Sequence, residues 1–224
     1  TSNRAITLDP NSLIRSTNGG ITITSTSTAE IALWLNTSSQ ILASGAISIT
    51  ANSSYIEGLY TELNAKIQST TSTLDISALG GLRLRSGVQL LSSGNLNIYS
   101  NGSATNLNGL DVYEGGSVLV QSSAGNVNIN AIGHHGVYLH DASTTIRAFG
   151  DLNINAFGSV QIGLYGSASG TCASSQCGLI SDTGNITINA IAKDNSANSY
   201  YAYYLRNPVV ANGTDPGKGN VYIS

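Results

Sequence analysis

Charge is scarce in this sequence. Lys and Arg number nine and Asp and Glu twelve among 224 residues, so charged residues make up 9% of the chain, against roughly 25% in a typical soluble domain. The cations are scattered and the net charge is −3, which disfavours the basic face of a nucleic-acid-binding protein. No apolar run approaches the ~18 residues that a membrane-spanning helix needs. We therefore predict neither a nucleic-acid partner nor a membrane-spanning segment.

Methionine is absent, and cysteine occurs twice. Because no signal peptide is visible either, we expect the chain to be a mature or excised segment of a longer translation product. Cys172 and Cys177 are close in sequence, and we predict that they form a small disulfide on a surface loop, as an oxidising compartment permits. Zinc would require two more ligands nearby, so no metal site is predicted at the cysteines.

What the sequence does contain is a short repeated phrase, in which a turn glycine precedes strict alternation of apolar and polar residues. Its clearest copies lie at residues 125–131, 150–156 and 184–190 and read GNVNINA, GDLNINA and GNITINA. Such alternation is typical of a β-strand with one buried face. Eight copies, the weakest without its glycine, begin at residues 19, 45, 72, 94, 125, 150, 184 and 219. Intervals of this size, 22 to 35 residues, predict a solenoid.

Two further short strands recur between copies of the phrase. The second-strand segments are 30–34, 81–85, 109–113 and 136–140, and the third-strand segments are 40–43, 117–120 and 145–148. Three strands per turn predict an all-β fold, a parallel β-helix (β-solenoid) of about eight rungs, with residues 1–224 in a single domain. A propeller blade needs four strands and a longer repeat, and a leucine-rich repeat needs a fixed Asn or Cys position, so neither architecture is expected.

Stacking of successive rungs also brings the outward residues of the phrase into columns. The first predicted column consists of Asn97, Asn128, Asn153 and Thr187, and the second of Asn130, Asn155 and Asn189. Stacked amides can hydrogen-bond to one another along such a column. We therefore expect side-chain ladders on the outside of the shaft as well as apolar columns within it.

The glycine–asparagine phrase, in a chain rich in Ser, Thr and Asn and poor in Lys, resembles the filamentous haemagglutinin family of large secreted bacterial proteins. The resemblance covers nearly the whole chain, from Ile6 to Ser224. It implies a right-handed parallel β-helix, secretion to the extracellular space or the cell surface, and a structural shaft that serves in adhesion or biofilm formation.

Aromatic and charged residues are predicted to share the outer face of the second strands. If the strands are in register, one column consists of Tyr60, Arg83, Asp111 and Tyr138, and the next of Trp34, Glu62, Arg85, Tyr113 and His140. The simpler interpretation is an exposed ladder in which Arg83 meets Asp111 and Glu62 meets Arg85. The alternative is a module that binds cell-surface or matrix glycans. Its interaction face would consist of Trp34, Tyr60, Tyr113, Tyr138 and His140.

Catalysis has little support in the sequence. Polysaccharide-degrading β-helices of the tailspike type would need two carboxylates roughly 5–10 Å apart, and the twelve acidic residues here rarely cluster. We therefore expect a protein that is not an enzyme, without catalytic residues or cofactors. His134, His135 and His140 are close enough in sequence to bind a metal, but solvated turn histidines are commoner, and no metal site is predicted.

Five Asn-x-Ser/Thr sequons are candidate N-glycosylation sites. They are Asn36, Asn52, Asn101, Asn185 and Asn212. In a chain so rich in Ser and Thr such sequons arise by chance, and they matter only if the source has the glycosylation enzymes.

The two ends of the chain carry complementary parts of one rung. Residues 5–9 predict a second strand, residues 12–15 a third strand, and residues 219–224 a first strand, which together would make a rung of 24 residues. We therefore expect either a segment of a longer β-helix or protomers that stack head-to-tail into a filament. The filament is the hypothesis that we prefer.

The longest intervals between copies of the phrase predict inserted loops. We expect these near residues 101–108, 165–178 and 193–204, because insertions in solenoids map to loops on one face.

Overall fold

The computed structural model describes residues 4–113, 116–140, 143–166, 177–193 and 202–224. Within these residues the chain forms β-strands and one short 3-10 turn, Ser103–Thr105, and contains no α-helix. The described strands are parallel and lie in three sheets of eight strands each. The chain therefore makes about seven turns between the first and last strands of each sheet, with three strands in every rung.

We number the sheets by the strands that the sequence predicted. The first sheet contains the repeated phrase, in strands Ile21–Ser27, Ile47–Ser53, Leu74–Leu79, Leu96–Asn101, Val127–Gly133, Leu152–Gly158, Ile186–Ala192 and Val221–Ile223. The second sheet consists of strands Ile6–Leu8, Leu33–Leu35, Leu59–Thr61, Leu82–Leu84, Leu110–Val112, Val137–Leu139, Leu164–Gly166 and Tyr203–Leu205. The third sheet consists of strands Leu13–Ser16, Gln40–Ala43, Lys66–Ser69, Gln89–Ser92, Leu119–Ser122, Thr145–Ala148, Gly178–Ser181 and Val209–Ala211.

Register in the first sheet follows the spacing of the repeated phrase. At one end Ile21 pairs with Ile47, and at the other Ile186 pairs with Val221. The predicted parallel β-solenoid is therefore confirmed. Both predicted outward columns, Asn97 to Thr187 and Asn130 to Asn189, are also in register.

Two of the predicted short strands were wrong by two residues. Segment 30–34 overlaps only the first two residues of strand Leu33–Leu35. Segment 117–120 overlaps only the first two residues of strand Leu119–Ser122. In both places a buried apolar residue, Ile31 or Val118, precedes the strand in phase with it. A shift of two residues keeps the same side chains facing inward, so apolar alternation does not distinguish the two registers.

The core is made of inward columns of Ile, Leu, Val and Ala from all three sheets. One column of the first sheet consists of Ile23, Ile49, Ile76, Ile98, Ile129, Ile154 and Ile188. Stacked strands lie about 4.8 Å apart, so each side chain packs on its counterparts above and below. Each fully buried one contributes roughly 1.5–3 kcal/mol, and stability accumulates between neighbouring rungs.

Tight stacking of the turns explains the glycine of the phrase. Asn95 Oδ1 accepts a hydrogen bond from the Asn126 N–H at 2.9 Å, and Asn126 Oδ1 accepts one from the Asp151 N–H at 2.8 Å. A Cβ atom on Gly125 would lie 2.6 Å from Asn95 Oδ1, so only glycine fits. Asp151 Oδ1 extends this turn column to the N–H of Asn185 at 2.8 Å. The sequence analysis missed the column, although the recurring Gly-Asn and Gly-Asp pairs are its signal.

One of the predicted loops lies wholly within the described residues. In segment 101–108 the chain leaves the first sheet through the 3-10 turn Ser103–Thr105, where Ser103 and Ala104 are exposed. Much of the predicted loops 165–178 and 193–204 lies outside the described residues.

The predicted disulfide involves one residue that the structure does not describe. Cys172 lies outside the described residues, and Cys177 is not a free thiol. The pairing of Cys172 with Cys177 therefore stays a prediction.

Candidate functional site

The outer face of the second sheet brings the predicted interaction residues together. One column consists of Trp34, Tyr60, Arg83, Asp111, Tyr138, Tyr165 and Tyr204. Backbone hydrogen bonds just past the strand ends align a flanking column of Asn36, Glu62, Arg85, Tyr113 and His140. Trp34 was thus predicted in the wrong column, because the segment 30–34 was shifted by two residues, and Asn36 occupies the place expected for Trp34.

Arg83 is the electrostatic centre of this face. Its Nη1 lies 2.8 Å from Glu57 Oε1, and its Nη2 lies 3.1 Å from Asp111 Oδ2. In the flanking column Arg85 Nη1 donates to Glu62 Oε2 at 2.9 Å, so both predicted ion pairs are confirmed. Glu57 and Asp111 are only 8% and 4% exposed, which is far more buried than an exposed ladder would be. One guanidinium therefore compensates two buried carboxylates.

Burial dominates the ionisation of Asp111. Removal from water raises the pKa of this carboxyl above its usual 3.8, while the positive charges of Arg83 and of protonated His140 act in the opposite direction. His140 Nε2 lies 3.6 Å from Asp111 Oδ1. The raised pKa shows that desolvation outweighs the neighbouring cations.

Tyrosine rings in the column from Trp34 to Tyr204 stack on one another. Tyr138 and Tyr165 stack with centroids 4.8 Å apart and planes 9° apart, and Tyr165 stacks on Tyr204 at 5.4 Å and 18°. At the other end the guanidinium of Arg4 lies 3.3 Å from the ring centroid of Trp34. Rings engaged in this way offer edges and polar groups to a ligand rather than open apolar faces.

His135 packs beside this column, and its pKa lies well below the usual value for histidine. The ring is 9% exposed, and its centroid lies 4.8 Å from that of Tyr138. Burial, together with the charges of His134 and His140, lowers the pKa of His135 from 6.5 to about 4. His135 is therefore a neutral packing residue at neutral pH.

The flanking column also holds its aromatic residues in place. Tyr113 and His140 meet edge to face with centroids 4.9 Å apart, and Arg83 lies 5.2 Å from the ring centroid of Tyr113. His140 in turn contacts Tyr138 at 3.9 Å between centroids. Cation–π and edge-to-face contacts therefore join the two columns into one packed face.

The sequence analysis missed a second candidate site, on the outer face of the first sheet. Tyr99, Phe157 and Ile191 are 42%, 37% and 49% exposed there. Register places Ile132, Phe157 and Ile191 side by side, and Tyr99 next to Asn130. Two shallow grooves of about 380 and 370 Å³ share Tyr99 and Asn130 in their walls. The available signal was a large apolar residue directly after the alanine that closes the phrase, at 132, 157 and 191.

The five sequons differ in how their side chains are engaged. Asn36 Nδ2 donates to the Leu8 carbonyl at 3.0 Å, Asn101 Oδ1 accepts from the Ser103 N–H at 3.0 Å, and Asn185 Oδ1 accepts from the Asn220 N–H at 3.1 Å. Asn52 is half-buried, whereas Asn212 is exposed. Asn212 is therefore the sequon best placed for modification.

Histidine, cysteine and acidic side chains nowhere form a group of three or more that could hold a metal ion in the described part of the chain. None of its helices is long and apolar enough to cross a membrane.

Comparison with known proteins gives no assignment. No protein-family model matches the sequence, no curated protein is significantly similar to it, and no solved structure matches its fold.

Proposed function

We propose that the chain is a structural β-solenoid shaft of the extracellular, adhesin type, which stacks head-to-tail and supports surface attachment or biofilm formation. The uninterrupted columns inside and outside the solenoid support a load-carrying role, because each rung is held by its neighbours throughout the described residues. The resemblance of the repeated phrase to filamentous haemagglutinins agrees with this role.

The observation that carries the proposal is the continuity of these columns, which keep their register from the first to the last strand of each sheet. At the edges of the sheets the columns are open. Val221, Ile223 and Ile14 belong to inward columns, yet they are 42%, 43% and 37% exposed. Their strands lie at the outer edges of the first and third sheets. Unpaired strand edges are templates for pairing with another strand, and exposed core residues add a hydrophobic driving force.

The two ends are complementary in chemistry as well as in position. Continuing the column registers across a junction would stack Ile21 on Val221, Ile23 on Ile223 and Ile14 on Val209. Each contact repeats the aliphatic stacking that the solenoid buries internally. Either further rungs of a longer β-helix or a second copy of the chain could continue these columns. We propose the second copy, and stacking without a closing rotation gives an open filament.

The second-sheet face supports a structural role more strongly than a glycan-binding one. Its rings stack on one another, and its carboxylates are paired with Arg83. A sugar ring would have to displace these contacts before it could pack on an aromatic face. We therefore assign the face containing Tyr60, Tyr138 and His140 to stabilisation of the shaft.

Electron microscopy and light scattering of the purified 224-residue chain test the proposal. We expect particles that lengthen with concentration and advance by roughly 38 Å per protomer, because each protomer contributes eight rungs at about 4.8 Å. Substitution Ile223→Asp should shorten the particles, because it places a charge at the junction. The matched control is Tyr222→Ser, on the same strand but facing outward, which should leave particle length unchanged.

Two results would overturn the proposal. One is a wild-type chain that stays monomeric at millimolar concentration. The other is filaments of equal length from wild type and Ile223→Asp, since the junction would then not involve the inward columns.

A further inference from the structure

The outer face of the first sheet exposes large apolar side chains to solvent. Tyr99, Phe157 and Ile191 are each more than a third exposed, in contrast to the stacked rings of the second sheet. Contiguous exposed apolar surface on a soluble protein commonly marks an interaction site. The two adjoining grooves lie across several rungs of this face.

Amide groups surround the exposed apolar side chains in a regular array. Asn155 Nδ2 donates to Asn130 Oδ1 at 2.8 Å, and Asn189 continues the column. Asn130, Asn155 and Asn189 are exposed, and each amide has two N–H donors and a carbonyl with two lone pairs. The column therefore keeps donors and acceptors for a ligand at every rung, about 4.8 Å apart.

This face is almost free of charge. Among the outward positions of its described strands only Asp75 carries a charge at neutral pH, and one cation, the exposed Lys193, directly follows strand Ile186–Ala192. A polyanion, whether an acidic polysaccharide or a nucleic acid, would find no row of cations to pair with. The ligand that matches the face is uncharged, offers hydroxyl or amide groups, and has an apolar surface to place on the Tyr99 and Phe157 rings.

We propose that the first-sheet face binds an uncharged polysaccharide whose chain runs along the solenoid axis. The sugar rings would pack on Tyr99, Phe157 and Ile191, and their hydroxyl groups would bond to the column of Asn130, Asn155 and Asn189. A polymer suits the site because both the amide column and the apolar column repeat along the axis. This inference rests on the proposed adhesin role and adds the class of ligand and the face that binds it.

Sedimentation with insoluble polysaccharides tests the inference. Purified chain would be incubated with cellulose and with chitin, both uncharged, and its migration followed separately in gels that contain alginate, a polyanion. We expect retention on at least one of the uncharged polymers and no retardation by alginate. The double variant Tyr99→Ser/Phe157→Ser should reduce the retained fraction at least tenfold. The control Phe149→Ser changes a ring that is 44% exposed away from this face and should leave retention unchanged.

The outcomes separate this inference from the filament proposal. Retention by neither cellulose nor chitin, or equal loss in Phe149→Ser, would overturn it. It would also be overturned if Tyr99→Ser/Phe157→Ser changed particle size in light scattering and left retention unchanged, because the face would then bind a second copy of the chain. Particle length responds to Ile223→Asp and retention to Tyr99→Ser/Phe157→Ser, so either proposal can fail alone.

Discussion

Asn128 Nδ2 donates a hydrogen bond of 2.8 Å to Oδ1 of Asn97, which lies 31 residues earlier in the chain. Asn153 does the same to Asn128 at 2.9 Å, and Asn97 donates to Asp75 Oδ1 at 2.6 Å. Asn97 and Asn128 are thus each an acceptor towards one rung and a donor towards the other. The column links four consecutive rungs in one direction, which lets the hydrogen bonds polarise one another.

The Asn128→Ala substitution should lower the free energy of unfolding by about 1–2 kcal/mol. It removes the hydrogen bonds to Asn97 and from Asn153, each worth roughly 0.5–1.5 kcal/mol. Urea unfolding followed by circular dichroism measures the change. The control Ser77→Ala, on the same outer face but outside the amide column, should shift the midpoint by much less, and an equal shift in both variants would contradict the role of the ladder.

Gly125 should tolerate no side chain, whereas Gly19 should accept one. A Cβ at position 125 would lie 2.6 Å from Asn95 Oδ1, whereas one at Gly19 would have Ser16 Oγ as its nearest neighbour, at 3.6 Å. Gly125→Ala should therefore destabilise by about 2 kcal/mol, and Gly19→Ala should be neutral or slightly stabilising. Thermal unfolding of the two variants side by side would decide the matter, and a neutral Gly125→Ala would show that the turn column can move.

Much of the fold follows from the sequence because the long strands have enough residues to define their register. The phrase at Val127 pairs with that at Leu152 over seven positions. A shift of one residue would bury asparagines, and a shift of two would separate the turn glycines Gly125 and Gly150, which are hydrogen-bonded. The three-residue strand Leu33–Leu35 lacks this redundancy, so a shift of two residues preserved its apolar pattern and misplaced Trp34.

The candidate sites were harder to predict than the fold, because the sequence does not report side-chain burial. Arg83 and Asp111 were correctly paired, but nothing in their spacing indicated that Glu57 would join them or that Asp111 would be 4% exposed. Glu57 lies before strand Leu59–Thr61, so its approach to Arg83 depends on the path of the turn in three dimensions. Alternation in strand Leu152–Gly158 does place Phe157 outward, but it does not report how exposed an outward ring will be.

Loss of Arg83 should be far more costly than loss of another paired arginine. Arg83→Met leaves the buried carboxylates of Glu57 and Asp111 without their cation, and breaking a buried pair in this way costs about 3 kcal/mol. Arg147 pairs with Asp182 at 2.9 Å, but their side chains are 40% and 24% exposed, so Arg147→Met should cost less than about 1 kcal/mol. The deficit of Arg83→Met should shrink as the solution is acidified, because Asp111, whose pKa burial raises above 3.8, takes up a proton. A deficit that does not change with pH would mean that lost packing, rather than charge, is its cause.

Acid should weaken the fold through His135, over a defined range of pH. Burial lowers the pKa of His135 in the folded chain from 6.5 to about 4, so between these values the unfolded chain binds a proton that the folded chain excludes. The associated stability is complete above pH 6.5 and is lost as the pH falls towards 4. The loss should be roughly 2 kcal/mol, less than the ~3 kcal/mol of the full shift, because the ring keeps some contact with water.

His135→Phe retains a ring beside Tyr138 and removes the titration, so its unfolding free energy should vary less between pH 7 and pH 4.5 than that of the wild type. His134→Gln leaves the buried imidazole in place and removes only the contribution of the His134 charge, which is smaller than that of burial. It should therefore retain most of the wild-type dependence, and urea midpoints at a series of pH values would distinguish the three proteins. Parallel curves for the wild type and His135→Phe would assign the acid sensitivity to another group.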